Sequence, residues 1–292
     1  MESLALNGNG VLWILPSQVF AYHGGAVVSG GAACLLDPGI LPDEIDQLAR
    51  HVNELGTTKI SIILTHAHWD HILGPERLPG CEVVAHAAFP RGDSDLRTRR
   101  VANQVKKWRD EQGIEADGPF ALPHPEEVFE RILDISVGDV PIRLIHAPGH
   151  SEDHSVVFFP DDHILWAADM LSDDEIPYVG QSLLTYSRAL EALSALQTDV
   201  LIPTHGAMTD DASEIRQRFD ADRTYLDELR QRTEKAVEAG CTVEEAVQRC
   251  STMVYANPDL NRRAHELNAE HAYCELGGEA DPASLGWNRL HQ

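Results

Sequence analysis

The chain has 292 residues, 43% of them hydrophobic, enough to bury the core of one large domain or of one domain with an appendage. Its 23 basic and 47 acidic residues give a formal net charge of −24, which repels polyanions and excludes extended nucleic-acid binding unless a local basic patch exists. Cys34, Cys81, Cys241, Cys250 and Cys274 are odd in number and scattered, which excludes a disulfide framework or a cysteine zinc cage and reads as thiols in a reducing compartment.

No basic residue precedes the first apolar run, which breaks at Pro16, and neither a signal peptide nor a membrane span is evident, so a cytoplasmic enzyme is the default. Short strands are expected at Val11–Leu15, Val19–Tyr22, Ala26–Val28 and Ala33–Leu36, in one antiparallel sheet with Gly24-Gly25 and Gly30-Gly31 as turns. Asp37-Pro38-Gly39 is a turn before a helix from about Asp43 to Leu55, whose Ile45, Leu48, Val52 and Leu55 share a face. A buried strand then opens the stretch Ile60 to Gly74 (ISIILTHAHWDHILG) and stops at a loop with His66, His68, Asp70 and His71. A helical turn is expected from about Asp70.

Glu82–His86 reads as a strand and Phe89–Asp95 as a loop. The helix from Leu96 to Asp110 carries Arg97, Arg99, Arg100, Lys106, Lys107 and Arg109, either as part of a lid insert (about 96–125) that meets an anionic substrate or as a solvated face balanced by acidic neighbours. Strands resume at Ile132–Ile135 and Ile142–His146, the latter running into Pro148-Gly149-His150. A hairpin of Ser155–Phe159 and Ile164–Ala167 delivers Asp169. A helix around Ser187–Leu196 precedes the strand Val200–Ile202 and Thr204-His205-Gly206.

Beyond residue 210 the pattern is helical. Asp211 with Glu214 and Thr242 with Glu245 are N-cap signatures, and Ile215, Phe219, Leu226, Leu229 and Val237 keep helical spacing as far as Gly240. A third helix runs from about Leu260 to Leu276. The division expected is a catalytic domain over 1–210 and a helical extension over 211–292 packed near the site mouth, with Trp287 uninformative.

Imidazole and carboxylate are ligand types for borderline metals such as zinc, and one short loop cannot wrap a single ion with all four of its donors without severe strain. His150, Asp169 and His205 follow later strands in loops that could converge on it. Five histidines and two carboxylates suit two ions: His66, His68 and His150 on the first, Asp70, His71 and His205 on the second, and Asp169 bridging both. Two cations about 3.5–4 Å apart would hold a bridging hydroxide for attack and polarise the bond to be cleaved. Two zinc ions are expected, with iron or manganese as alternatives. His154 is expected to orient a ligand, and His23 and His86 to lie near the site. His51, His124, His146, His163, His265, His271 and His291 are expected on the surface or in packing.

The string His66-Ala67-His68-Trp69-Asp70-His71, followed by Pro148-Gly149-His150, Asp169 and Thr204-His205-Gly206, resembles the metallo-β-lactamase superfamily in full ligand order over residues 11 to 210. The resemblance implies an α+β fold, the four-layer αββα sandwich with a C-terminal helical extension, and a site at one edge between two sheets. It implies that Asp37 lies beside the metal site and that Asp70 is both ligand and catalytic proton carrier for the leaving group.

His68 in place of glutamate sets the chain apart from the di-iron flavoprotein branch, and Asp169 from true β-lactamases of this fold. Homoserine-lactone hydrolases are similar in ligands and in Ile176–Gly180 but carry tyrosine where this chain has Ser172; Tyr178 is a candidate substrate-binding hydroxyl from another position. Glyoxalase-II-like thioesterases share Thr65–His71 with Trp69, and β-lactamase-like endoribonucleases resemble Pro148–His154. A hydrolase of a small ester, thioester or lactone is expected, with a phosphodiesterase or endoribonuclease as the alternative. The expected partner is a small molecule rather than nucleic acid or membrane, and a homodimer is compatible with the chain.

Overall fold

A computed structural model describes residues 1–92, 95–115, 118–281 and 285–286, so Trp287 and His291 lie outside the described residues. The chain divides into two compact units, Met1–His146 with Asp153–Ala168, and Ala147–Glu152 with Asp169–Gln292.

In the first unit β1 (Glu2–Leu6), β2 (Gly10–Pro16), β3 (His23–Ser29) and β4 (Ala32–Leu36) form an antiparallel meander. The β3–β4 turn needs left-handed backbone at both central positions, which Gly30 (φ 57°) and Gly31 (φ 78°) adopt freely. The strands β5 (Lys59–Ile63), β6 (Glu82–His86) and β7 (Glu127–Phe129) then add in parallel, giving a seven-stranded sheet. A parallel addition needs a crossover, and α1 (Pro42–Glu54) supplies the one from β4 to β5. Its Leu48 and Val52 share a core with Leu35, Ile62 and Ala26.

The strands of residues 11–36 thus pair antiparallel as expected, the sheet becomes mixed only where β5 to β7 join, and β1 and β7 add to the expected strands; Gly24 and Gly25, expected as a turn, lie inside β3. Val19–Tyr22 is not a strand. Ser17 N–H donates to Tyr22 O (2.7 Å), and Phe20 (φ 58°) and Ala21 (φ 45°) are left-handed, so the segment is a turn despite its β-forming composition. The expected helical turn near Asp70 falls later, as α2 (Gly74–Arg77).

The same unit holds the antiparallel β8 (Ile132–Val137), β9 (Val140–His146), β10 (Ser155–Phe159) and β11 (Ile164–Ala168). β10 and β11 are buried at every residue, as strands covered on both faces must be. A Cβ on Gly25 of β3 would stand 2.8 Å from the Trp166 ring of β11, so glycine is what lets the two sheets approach. α3 (Leu96–Gln112) begins at the Asp95 N-cap, ends at left-handed Gly113, and buries Thr98, Val101, Val105 and Trp108.

The second unit contains α4 (Leu183–Ser194), β12 (Val200–Pro203), α5 (Ala212–Glu238), α6 (Val243–Cys250) and α7 (Pro258–Glu275). Asp211 caps α5 through Ser213 and Glu214 N–H, and Thr242 with Glu245 forms the capping box of α6. Ala236, Cys241, Val243, Ala246 and Tyr273 join these helices in one apolar cluster. The architecture is α+β, two sheets faced by helices plus a C-terminal helical set, as the sequence leads one to expect. Among the described residues no helix is long and apolar enough to cross a membrane.

Candidate metal centre

The His/Asp loop is shaped by a carboxylate at the end of the neighbouring strand. Asp37, fully buried and left-handed (φ 39°), follows β4. Its Oδ1 accepts from Thr65 N–H (2.9 Å), and its Oδ2 accepts from the Thr65 hydroxyl (2.6 Å) and faces His71 Nδ1 (2.9 Å). Thr65 Oγ1 in turn lies 3.1 Å from His66 Nδ1. A carboxylate only accepts, so His71 must donate from Nδ1. With its proton given to Asp37, the threonine oxygen can only accept from His66 Nδ1–H. In a neutral imidazole a proton on Nδ1 places the lone pair on Nε2. The next turn is held by Asp153, 3% exposed, whose Oδ2 accepts from Ala67 N–H (2.8 Å). The His66 ring lies 4.5 Å from that of His68, 4.1 Å from that of His71 and 5.1 Å from that of fully buried His154.

In the second unit, Gly149 (φ 131°) sets the direction of His150: a Cβ there would meet the Tyr186 Cα at 2.4 Å. The His150 and Gly149 carbonyls accept from Gly180 (3.0 Å) and Gln181 (2.9 Å) N–H. Asp169 sits in a turn with two left-handed non-glycine residues, Ala168 (φ 50°) and Leu171 (φ 62°), backbone that persists only where surroundings enforce it. Two side chains one turn apart on α5 enforce it. Arg218 Nη1 donates to Leu171 O (3.3 Å), and Asp222 accepts from Leu171 N–H. Burial pushes the Asp222 carboxyl up to about 8, against the opposing pull of the Leu171 hydrogen bond and the Arg218 charge.

Asp169 turns one oxygen toward each of two histidines, Oδ2 at 3.2 Å from His150 Nε2 and Oδ1 at 3.8 Å from His205 Nε2. His205 is followed by Gly206 (φ 104°), and Ala207 N–H donates to Asp173 Oδ1 (2.7 Å).

Each unit gathers its own donors, His66, His68, Asp70 and His71 in the first and His150, Asp169 and His205 in the second. The donor chemistry suits cations. His71 Nε2, its other nitrogen donating to Asp37, faces Asp70 Oδ2 at 3.8 Å, and a cation relieves two electron-rich atoms set face to face. Each unit thus carries a set of His and Asp side chains of the types that bind metal.

Tyr178 is mostly buried, with its ring edge-on to His150 (5.7 Å), and burial pushes its hydroxyl pKa up. Its segment is gripped by α7: Asn268 accepts from Val179 N–H (2.7 Å) and donates to Pro177 O (2.6 Å), while Asn261 donates to Asp174 O (2.8 Å). Ser172 accepts from Asp174 and Glu175 N–H, closing a local turn. His86 stacks on His146 at 3.6 Å, and His265 pairs with Tyr225 and Cys250 O inside the helical set. On α3, Lys106 pairs with Asp110, Lys107 with Glu111 and Arg109 with Glu76.

Sequence reasoning missed Asp153, Arg218, Asp222, Asn261 and Asn268. Signals existed for three of them: Asp153 stands three residues after His150, and Asn261 and Asn268 are polar residues seven apart on the face of α7 that also carries Ala272.

The family profile described as the metallo-beta-lactamase superfamily matches residues 23–205. The chain is 27% identical over 260 residues to an atrochrysone carboxyl ACP thioesterase of Aspergillus chevalieri, covering 87% of this chain and 74% of that protein. It is 21% identical over 248 residues to a linear primary-alkylsulfatase of Pseudomonas sp., covering 74% of this chain and only 47% of that protein. Among solved structures, a metallo-beta-lactamase family protein from Thermus thermophilus superposes with a TM-score of 0.67 at 21% identity, over 92% of this chain and 93% of that one, a likeness of fold.

Proposed function

The chain belongs to the metallo-β-lactamase superfamily, and from that premise we propose that it is a dinuclear metal-dependent hydrolase of a small ester, thioester or lactone. His66, His68 and His150 would hold one ion and Asp70, His71 and His205 the other, with Asp169 shared. The observation that carries this is the Asp169 carboxylate, whose two oxygens address His150 and His205 separately. Bound metal would lower the pKa of water toward neutrality and polarise the acyl carbonyl. Asp37 and Thr65 keep His66 and His71 in the tautomer that presents Nε2. Asp70, only 8% exposed, would pass a proton to the leaving group, and Tyr178 would offer its hydroxyl to the substrate oxygen. Likeness to a thioesterase supports an acyl substrate; likeness to an alkylsulfatase adds alkyl sulfates to the compounds worth testing. RNA cleavage has less support, because the α3 cations Lys106, Lys107 and Arg109 are engaged by acidic neighbours.

The deciding experiment is metal analysis with a panel of esters, thioesters, lactones, alkyl sulfates and phosphodiesters. About two ions per chain are expected, with acyl hydrolysis lost in His68→Ala and Asp169→Ala. A metal-free protein, or full activity in Asp169→Ala, would overturn the proposal.

A further inference from the structure

The basic run of α3 divides in two. Lys106, Lys107 and Arg109 are held by carboxylates, and Arg97 lies 3.8 Å from Asp95. Arg99 and, on the segment before α3, Arg91 are exposed and have no ion pair among the described residues. Both line a cleft of about 320 Å³ in the first unit, formed by residues 90–92, the first turns of α3 and residues 120–124. His124 adds a third basic group, Phe120 and Leu122 supply apolar surface, and among the described residues the lining holds no carboxylate. In a chain of net charge −24 that lining runs against the composition. Thr98 lines the cleft too, in the first turn of α3, where the helix dipole favours an anion. It is 7% exposed, and its hydroxyl has no hydrogen-bond partner. Buried hydroxyls are nearly always paired, inside a helix commonly with the carbonyl one turn back. Leaving this one open is destabilising unless something from outside the chain completes it.

We propose that this cleft binds the phosphate group of a small molecule, with Arg91 and Arg99 pairing its oxygens and the Thr98 hydroxyl donating to one of them. The number of donors selects phosphate over carboxylate. Two guanidinium groups that each pair two oxygens, a hydroxyl and an imidazole make about six donors, against about four lone-pair sites on a carboxylate. A phosphate offers three strongly accepting oxygens in a tetrahedral arrangement. The rest of the molecule would lie on Phe120 and Leu122. The cleft is small, and further along α3 the cations are engaged, so the site fits one phosphate group rather than a polynucleotide track. None of its residues is a proposed metal donor, so the site does not depend on the hydrolase function proposed above.

The test is calorimetric titration of the full chain with inorganic phosphate, phenylphosphonate and acetate. Saturable binding of phosphate is expected, weakened at least about tenfold in Arg91→Gln and in Arg99→Gln and kept in His68→Ala, which disables the proposed metal site. Both arginines are exposed, so these variants should fold. Thr98→Val should weaken phosphate binding several-fold and leave Tm without phosphate unchanged or higher, because it removes a hydroxyl that has no partner. Phenylphosphonate binding more tightly than inorganic phosphate would support the site and identify a phosphorylated organic ligand; binding no tighter would support it with the free ion as ligand. No saturable phosphate binding, acetate bound as tightly as phosphate, or phosphate binding that persists in Arg91→Gln and Arg99→Gln and vanishes in His68→Ala would overturn the site. A lower Tm in Thr98→Val would show its hydroxyl to be already paired and would overturn the assignment as well.

Discussion

Asp37 Oδ2 lies 2.9 Å from His71 Nδ1, and both side chains are completely buried. The same oxygen takes the Thr65 proton, so one carboxylate governs two imidazoles. Asp37→Ala should therefore weaken metal binding by roughly 10–100-fold, measured by chelator competition. Asp37→Asn, which can offer one accepting oxygen but no charge, should fall between. Wild-type affinity in Asp37→Ala would refute this account of the tautomers.

Asp222 carries a pH dependence whose sign is fixed by its raised pKa. Between its unfolded value near 4 and its folded value of about 8, the native state holds more protons than the unfolded state. Its contribution is therefore full at low pH and is lost as pH rises through that window. Asp222→Asn keeps an oxygen for Leu171 N–H and should flatten the decline in Tm between pH 5 and pH 8. An unaltered slope in the variant would refute the assignment.

Asn268 makes hydrogen bonds to Val179 N–H, Pro177 O and the Tyr225 hydroxyl from a fully buried position. Asn268→Ala leaves these groups without that partner, at about 1–3 kcal/mol for each that stays unsatisfied. A lower denaturation midpoint is expected, with faster amide exchange at Val179.

Gly149→Ala places a methyl 2.4 Å from the Tyr186 backbone at φ 131°, where no side chain can move aside. Destabilisation of at least about 3 kcal/mol is expected, read in chemical denaturation. By contrast, alanine at Lys106 and Lys107, exposed partners of Asp110 and Glu111, should change stability by no more than about 0.5 kcal/mol each.

Most of the strands and helices, and the candidate donors, are legible because their signals are local. The His66–His71 spacing, the Gly30-Gly31 turn and the Thr242–Glu245 cap are each contained in a few residues. What was not legible depends on partners far along the chain. Val19 to Tyr22 has the composition of a strand, yet Glu44 anchors Ser17 and Gln18, and the chain reverses there. β7 is only three residues long, too short for a periodic signal. Asp222 reads as one more surface acid on a long helix until its burial against Leu171 is seen.

The change from antiparallel to parallel pairing at β4 bears on how the molecule reaches its native state. The meander β1 to β4 closes over short turns and loses little chain entropy, so it can form early, whereas β5 to β7 must await their crossovers. β5, which leads into the loop of His66 to His71, thus belongs to the slower half of the sheet. Substitutions in the meander should slow folding, whereas those around β5 to β7 should mainly hasten unfolding.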